Sequence, residues 1–284
     1  PREGRGGSTS GGRLPGTHHA GRDVHVPQLA VGVEFLTEFA KLDPPLRRRT
    51  VEALGTFAEH THAGLHLERL TGVRDQRVRT IRITDYWRGV VLAPTSGDRF
   101  VLLRVLGHDE AVDWAKRRTF TVNEVSGVLE VRDVAAIEEL AGVPPAAAPS
   151  LLFSAIDDGD LAKLGIDAQV IAVARTITDH AMLDTISAVL PENQGDVLQA
   201  LAAGYDVEQV WADIVAPRIP DDPIDPEDLA AAAERSQGRI ALVDGPAELL
   251  ALFHKPIALW RVFLHPSQEE TAYRPTFWGS AQVT

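Results

Sequence analysis

Three groups of side chains in this chain are of a kind that does chemistry. His265-Pro266-Ser267-Gln268 sets a carboxamide just after a proline-forced change of direction, and a carboxamide offers one donor and one acceptor side by side. Arg79, Arg82, Arg88 and Arg104 recur along alternating apolar runs. Their guanidinium groups suit a phosphate backbone, and the same residues read equally well as a solvated strand face. His60, His62 and His66 lie close enough to suggest a metal, but they fall where a helix should end. Partly charged imidazoles are favoured there by the helix dipole, and no carboxylate pair completes a ligand set, so the reading is no metal.

The elements around the arginines are legible. Leu29, Val31 and Val33 alternate as in a half-buried strand, and Phe35, Leu36, Phe39 and Leu42 then recur at helical spacing. Asp43 before Pro44-Pro45 caps a second helix carrying Leu46, Val51, Leu54 and Phe57. Strands are predicted over 79–84, 87–92 and 99–106, broken by Asp85-Tyr86 and turned by Thr95-Ser96-Gly97-Asp98, with a closing helix over 109–118. A strand, a helical hairpin and antiparallel strands make an α+β module in which the helices cover one face of the sheet.

That order, with Arg82-Ile83, Tyr86-Trp87-Arg88-Gly89-Val90-Val91 and Val105-Leu106-Gly107-His108, resembles the RelE/ParE toxin superfamily. The resemblance implies a ribosome-dependent nuclease fold with basic residues on its middle strands, where Arg79, Arg82 and Arg88 stand. Such cations would hold phosphate and stabilise charge on a 2′-hydroxyl under attack. The toxins carry an arginine at the end of the last strand and a tyrosine on the closing helix; Asp109 and Trp114 stand in that region here. The expectation is a RelE-like fold without nuclease chemistry, and no catalytic residue is assigned.

The far end carries a second resemblance. An apolar run over 259–264, His265-Pro266, a capping Ser267 with Glu270 three residues on, Gln268, Ala272-Tyr273 and the β-prone Ala281-Gln282-Val283-Thr284 resemble the Q motif of UvrD/PcrA-type superfamily 1 DNA helicases. In this chain Gln268 follows Ser267 directly, with no residue between. The resemblance implies that Gln268 reads the adenine of ATP, with Arg274 on the same cofactor. It also implies that the phosphate loop and the Mg2+ ligands lie beyond Thr284, so that residues 1–284 do not hydrolyse ATP alone. DNA is then the partner of the whole product, translocated three-prime to five-prime.

Between these stretches the chain divides as 1–26 leader, 27–119 RelE-like module, 120–143 hairpin and helix, 144–216 helical domain, 217–226 linker and 227–284 start of a RecA-like lobe. The leader is rich in Gly, Arg, Ser and Thr with no apolar segment; the only methionine is Met182, and translation is expected to begin near Val26. Helices are expected over 158–164, 167–177, 180–190, 192–203 and 207–214, punctuated by Gly165, Pro191 and Gly204. The run from Leu198 to Ile214 has the form of a helix-turn-helix, but acidic residues dominate around it, which favours a spacer or a protein-contact domain.

Composition narrows the classes. A net charge of −12 excludes a surface that grips nucleic acid all over. With no cysteine there is neither disulfide nor thiolate metal site, which fits a reducing cytoplasm. No apolar run approaches the roughly 20 residues that cross a bilayer, so no membrane partner is expected.

Overall fold

In the computed structural model, which describes residues 28–59, 67–142, 151–236, 239–243, 248 and 251, the chain enters as a strand buried on both faces. This strand, β1 (Gln28–Gly32), runs into α1 (Val33–Lys41). Asp43 opens α2 (Pro44–Glu59) by accepting the Leu46 N–H at 2.8 Å. Four antiparallel strands follow: β2 (Leu67–Arg69), β3 (Val78–Arg82), β4 (Trp87–Leu92) and β5 (Arg99–Gly107). The β4–β5 turn needs Gly97, whose φ of +80° only glycine adopts at little cost.

α3 (His108–Arg117) leads into a hairpin of β6 (Arg118–Val122) and β7 (Leu129–Asp133), and α4 (Val134–Ala141) begins on the Asp133 cap. The helical domain follows as α5 (Asp158–Lys163), α6 (Ala168–Ala174), α7 (His180–Ser187), α8 (Glu192–Ala202) and α9 (Val207–Val210). Each of α5, α6, α7 and α9 starts on an aspartate: Asp157, Asp167, Asp179 and Asp206 accept backbone N–H groups of their own first turns. Such a cap stabilises a helix by about 1 kcal/mol, which matters most for helices this short. Beyond α9 the coil widens to a π-helical turn over Trp211–Val215 and tightens to a 3₁₀ turn over Ala216–Arg218 that includes Pro217. α10 (Leu229–Arg235) and β8 (Ile240–Val243) complete the described chain.

The main sheet runs β2-β3-β4-β5-β1-β8. β1 lies parallel to β5, with Leu29 opposite Phe100, because the helical hairpin returns the chain to the end of the sheet from which it left. β8 lies antiparallel to β1, with Ala30 opposite Leu242. The fold is therefore mixed α+β, as the pattern of elements implied.

Two features differ from the sequence reading. Helices cover both faces of the sheet rather than one. On one side Phe35, Phe39, Leu46 and Leu54 of α1 and α2 pack on Ile81, Val91 and Leu102. On the other, Ala111 and Ala115 of α3, Phe120 and Leu129 of the hairpin, and Leu229, Ala232 and Ala233 of α10 pack on Val90, Val101 and Leu106. The second difference is that β8, grouped by sequence with a following lobe, is hydrogen-bonded to β1 as the sixth strand of the first sheet. The helical domain has its own core, from Phe153 and Leu161 through Val170 and Leu183 to Leu198 and Val215.

Gln268, Arg274, the segment 281–284, the histidines at 60, 62 and 66, the leader and the linker 144–149 lie outside the described residues. Among the described residues no helix is long and apolar enough to cross a membrane.

Candidate functional site

The strand register decides which of the four arginines share a surface. Arg82 stands directly opposite Arg88, and Thr80, Val90 and Arg104 form a neighbouring row on the same face. Arg79, three residues from Arg82, points to the other face. The sheet thus brings Arg82, Arg88 and Arg104 together and leaves Arg79 out.

Their partners matter more than their placement. Arg88 is only 7% exposed; it donates to the Thr84 carbonyl at 2.8 Å and the Trp87 carbonyl at 3.2 Å. Its Nε lies 3.4 Å from Glu68 Oε2 without the alignment of a hydrogen bond. Arg104 is paired with Glu38 of α1, whose other oxygen accepts the Val105 N–H at 2.9 Å. Glu38 so closes the stretch of β5 edge that β1 is too short to cover. Arg79 donates to the carbonyls of Gln76 and Val78, and burial together with the nearby Arg69 charge lowers its pKa. Arg82 is exposed and pairs with Asp85, whose carboxyl it holds below the usual carboxylate range by its hydrogen bond and charge. Of the four, Arg82 is best placed to meet a ligand from solvent.

Behind Arg104 lies a cleft of about 370 Å³ between the sheet module and the α7–α8 connection. Trp114 forms its platform. The Arg104 guanidinium carbon sits 5.5 Å and that of Arg118 4.8 Å from the ring centroid, a double cation–π arrangement. Arg118 pairs with Asp133 at 3.2 Å; burial lowers its pKa, an effect Asp133 offsets and Arg104 deepens. Trp114 was noted in the sequence only as the residue standing where a phenol was expected. Its stacking partner Arg118 follows four residues later, a spacing that signals the contact, whereas Arg104 reaches the ring from another element.

A third grouping appears only in three dimensions. The β3–β4 turn and the start of α3 meet where His108 N–H donates to the Tyr86 carbonyl at 2.6 Å. Tyr86 is 64% exposed and its ring covers Gly107, where an added Cβ would come within 2.9 Å of it. His108 Nδ1 is 2.9 Å from Asp109 Oδ1. An imidazole with a carboxylate partner and a phenol therefore share this end of the sheet with Arg82. Proton transfer is within the chemical range of that set.

No protein-family model, curated protein or solved structure matches the chain. Its chemistry is therefore read from its own side chains.

One more polar cluster is buried, and it is structural. Glu130 of β7 is 3% exposed and accepts from Asn123 at 2.8 Å, Asn193 at 2.8 Å and Gln194 at 2.9 Å. Arg132 lies 3.2 Å from the same carboxylate and also pairs with Asp167. A buried carboxylate with donors on every side is held as a joint between hairpin and helical domain, and has no lone pair free for a substrate.

Proposed function

We propose that this chain is the N-terminal part of an ATP-dependent, UvrD-like DNA helicase, in which a RelE-shaped module serves as a docking or regulatory domain rather than as a nuclease. The first half of this reading is supported by the residues around Gln268, which are to select the adenine of ATP with Arg274 alongside. Phosphate, Mg2+ and DNA are to be held by the rest of the product, working in the cytoplasm. The second half is carried by one observation: Arg88 and Arg104 are consumed by internal carbonyls and carboxylates, which leaves Arg82 as the outward cation of the shared face. A surface that held a phosphate backbone would present them unpaired.

Photo-crosslinking with an 8-azido-adenine nucleotide tests the motor reading. Label is expected in the peptide containing Gln268 and is expected to fall at least fivefold in Gln268→Ala. Absence of label from that peptide, or ATP hydrolysis by residues 1–284 alone, would overturn it.

A second reading, a RelE-type nuclease, is favoured by the Tyr86, His108 and Arg82 grouping. Expression of the chain would then arrest growth, with relief by His108→Ala or Arg82→Ala. Arg88→Ala is the wrong variant for that purpose, since Arg88 holds its own turn together. A chain that leaves growth unaffected fits a non-enzymatic module.

A further inference from the structure

The β6–β7 hairpin has an open stretch of backbone that none of the readings above uses. Along an antiparallel pair, residues that bond across to the partner alternate with residues whose N–H and C=O point away from it. Phe120 is of the second kind, since its N–H donates to Asp75 Oδ2 at 3.1 Å and its carbonyl accepts from Arg77. Asn123 is of the first kind, its N–H donating to the Val128 carbonyl at 2.9 Å. Val122, opposite Leu129, therefore turns its N–H and C=O outwards, as Phe120 does. Side chains close this outer edge at Phe120 and leave it open at Val122. Among the described residues neither backbone group of Val122 has a partner.

Val122 is only 8% exposed, and enclosed backbone groups are rarely left unpaired. A groove of about 600 Å³ runs here between β6 and the segment 224–227 that leads into α10. Arg77, which holds the Phe120 carbonyl, lines it together with Val122, so the groove follows the outer edge of the strand. Phe120, Ile224 and Pro226 give it an apolar lining. Its charge is negative. Arg77 is already held by Asp75 at two points, Nε to Oδ1 at 3.0 Å and Nη2 to Oδ2 at 2.8 Å. Glu227 on the wall adds a second negative charge near the same guanidinium. Glu124 is exposed on the rim and forms no ion pair among the described residues. Asp221, Asp222 and Asp225 precede Glu227 in the same connection.

We propose that this groove takes an extended, lysine- or arginine-bearing segment of a partner protein, which adds to the outer edge of β6. Its backbone pairs with the Val122 N–H and C=O, and its basic side chains reach Glu124 and Glu227. In strand addition of this kind the main chain sets direction and register, and the side chains select the partner. The open edge is short, because Phe120 is taken on one side and the chain turns over Asn123–Gly127 on the other. Two backbone bonds alone hold little, so the basic side chains supply much of the affinity and binding is weak. The surface lies on the hairpin and rests on neither the helicase nor the nuclease reading.

A dye-labelled Lys-Val-Lys-Val-Lys peptide, followed by fluorescence anisotropy with the full chain at low salt, tests the proposal. It is expected to bind, and Glu-Val-Glu-Val-Glu is not. N-methylation of the three central residues keeps the charges and side chains but removes backbone donors, and should weaken binding at least about tenfold. Glu124→Gln with Glu227→Gln should weaken it about fivefold. Glu208→Gln with Asp213→Asn, on the helical domain, should leave it unchanged. No binding of the basic peptide would overturn the proposal. Equal binding of the N-methylated peptide, or equal loss in the two double variants, would reduce the effect to general attraction by an acidic chain and overturn it as well. Hydrogen exchange of the unaltered chain gives a reading without substitution. The Val122 amide should exchange readily in the chain alone and at least about tenfold more slowly with saturating peptide. Slow exchange before peptide is added would mean that the chain fills its own groove, and that too would overturn the proposal.

Discussion

At the scale of single residues, burial and pairing separate side chains that look alike in sequence. Arg82 and Arg88 are cross-strand neighbours, yet one is exposed and the other nearly enclosed. Arg88→Ala strips its donors from the Thr84 and Trp87 carbonyls and opens a hole beside Glu68. It is expected to lower stability by about 2–3 kcal/mol, whereas Arg82→Ala, which loses only a solvent-screened pair, should leave the unfolding midpoint nearly unchanged. Urea unfolding of the two variants measures the difference, and equal midpoints would contradict it. Asp75 gives a pH dependence. Burial alone would raise its carboxyl, but the Arg77 guanidinium and the N–H groups of Arg77 and Phe120 outweigh burial and hold the pKa below the ordinary 3.8. A depressed aspartate contributes stability that is present above its unfolded value and lost as the pH falls through its folded one. Asp75→Asn should therefore be less stable than wild type at neutral pH and lose less on acidification below 3.8. A gap that stays constant from pH 7 to pH 3 would remove Asp75 from acid sensitivity.

At the scale of elements, much of the fold was legible because local signals agreed. Alternating apolar residues marked β3, β4 and β5 to within a residue or two, and Gly165, Pro191 and Gly204 marked breaks between the short helices. What was not legible were the pairings made across long separations. β2 is three residues long and too short for alternation to register. β8 carries Ile240-Ala241-Leu242-Val243, which reads as a strand but names no partner; its partner β1 is some two hundred residues earlier. The approach of Arg104 to Trp114 and the sheet-end pair of Tyr86 and His108 were hidden for the same reason, since each belongs to a different element from its neighbour. The α10–β8 unit carries a consequence for stability. Leu229, Ala232, Ala233 and Ile240 are all buried against the sheet, and β8 covers the outer edge of β1. A chain ending at residue 226 exposes that edge and that apolar surface. It is expected to lose at least about 3 kcal/mol and to associate through β1, because an uncovered strand edge is a template for pairing. Light scattering and urea unfolding of the shortened chain would show this; a monomer of unchanged stability would mean that the sheet is complete without β8.

At the scale of the molecule, two apolar bodies meet through a polar joint. The cores on either side of the sheet and the core of the helical domain are separate clusters, and Glu130, Arg132, Asp167, Asn193 and Gln194 span the gap between them. Within the joint burial would raise Asp167, but Arg132 and Gln194 outweigh it and keep its carboxylate charged below the usual range. Such a network supplies little net stability against an apolar contact of the same size, yet losing one member leaves charges buried without partners at about 3–5 kcal/mol. The cost falls on the docked arrangement and not on either core. Arg132→Met should accordingly leave each body folded while undocking them. Hydrogen exchange is the measurement: in the wild type, amides of α6 and α8 are expected to open together with those of β4 and β5. In the variant α6 and α8 should exchange at least tenfold faster while β4 and β5 stay protected. If all four elements kept exchanging as one unit, the polar joint would not be what couples them, and contacts such as Arg239 with Glu192 and Asp196 would have to carry that load instead.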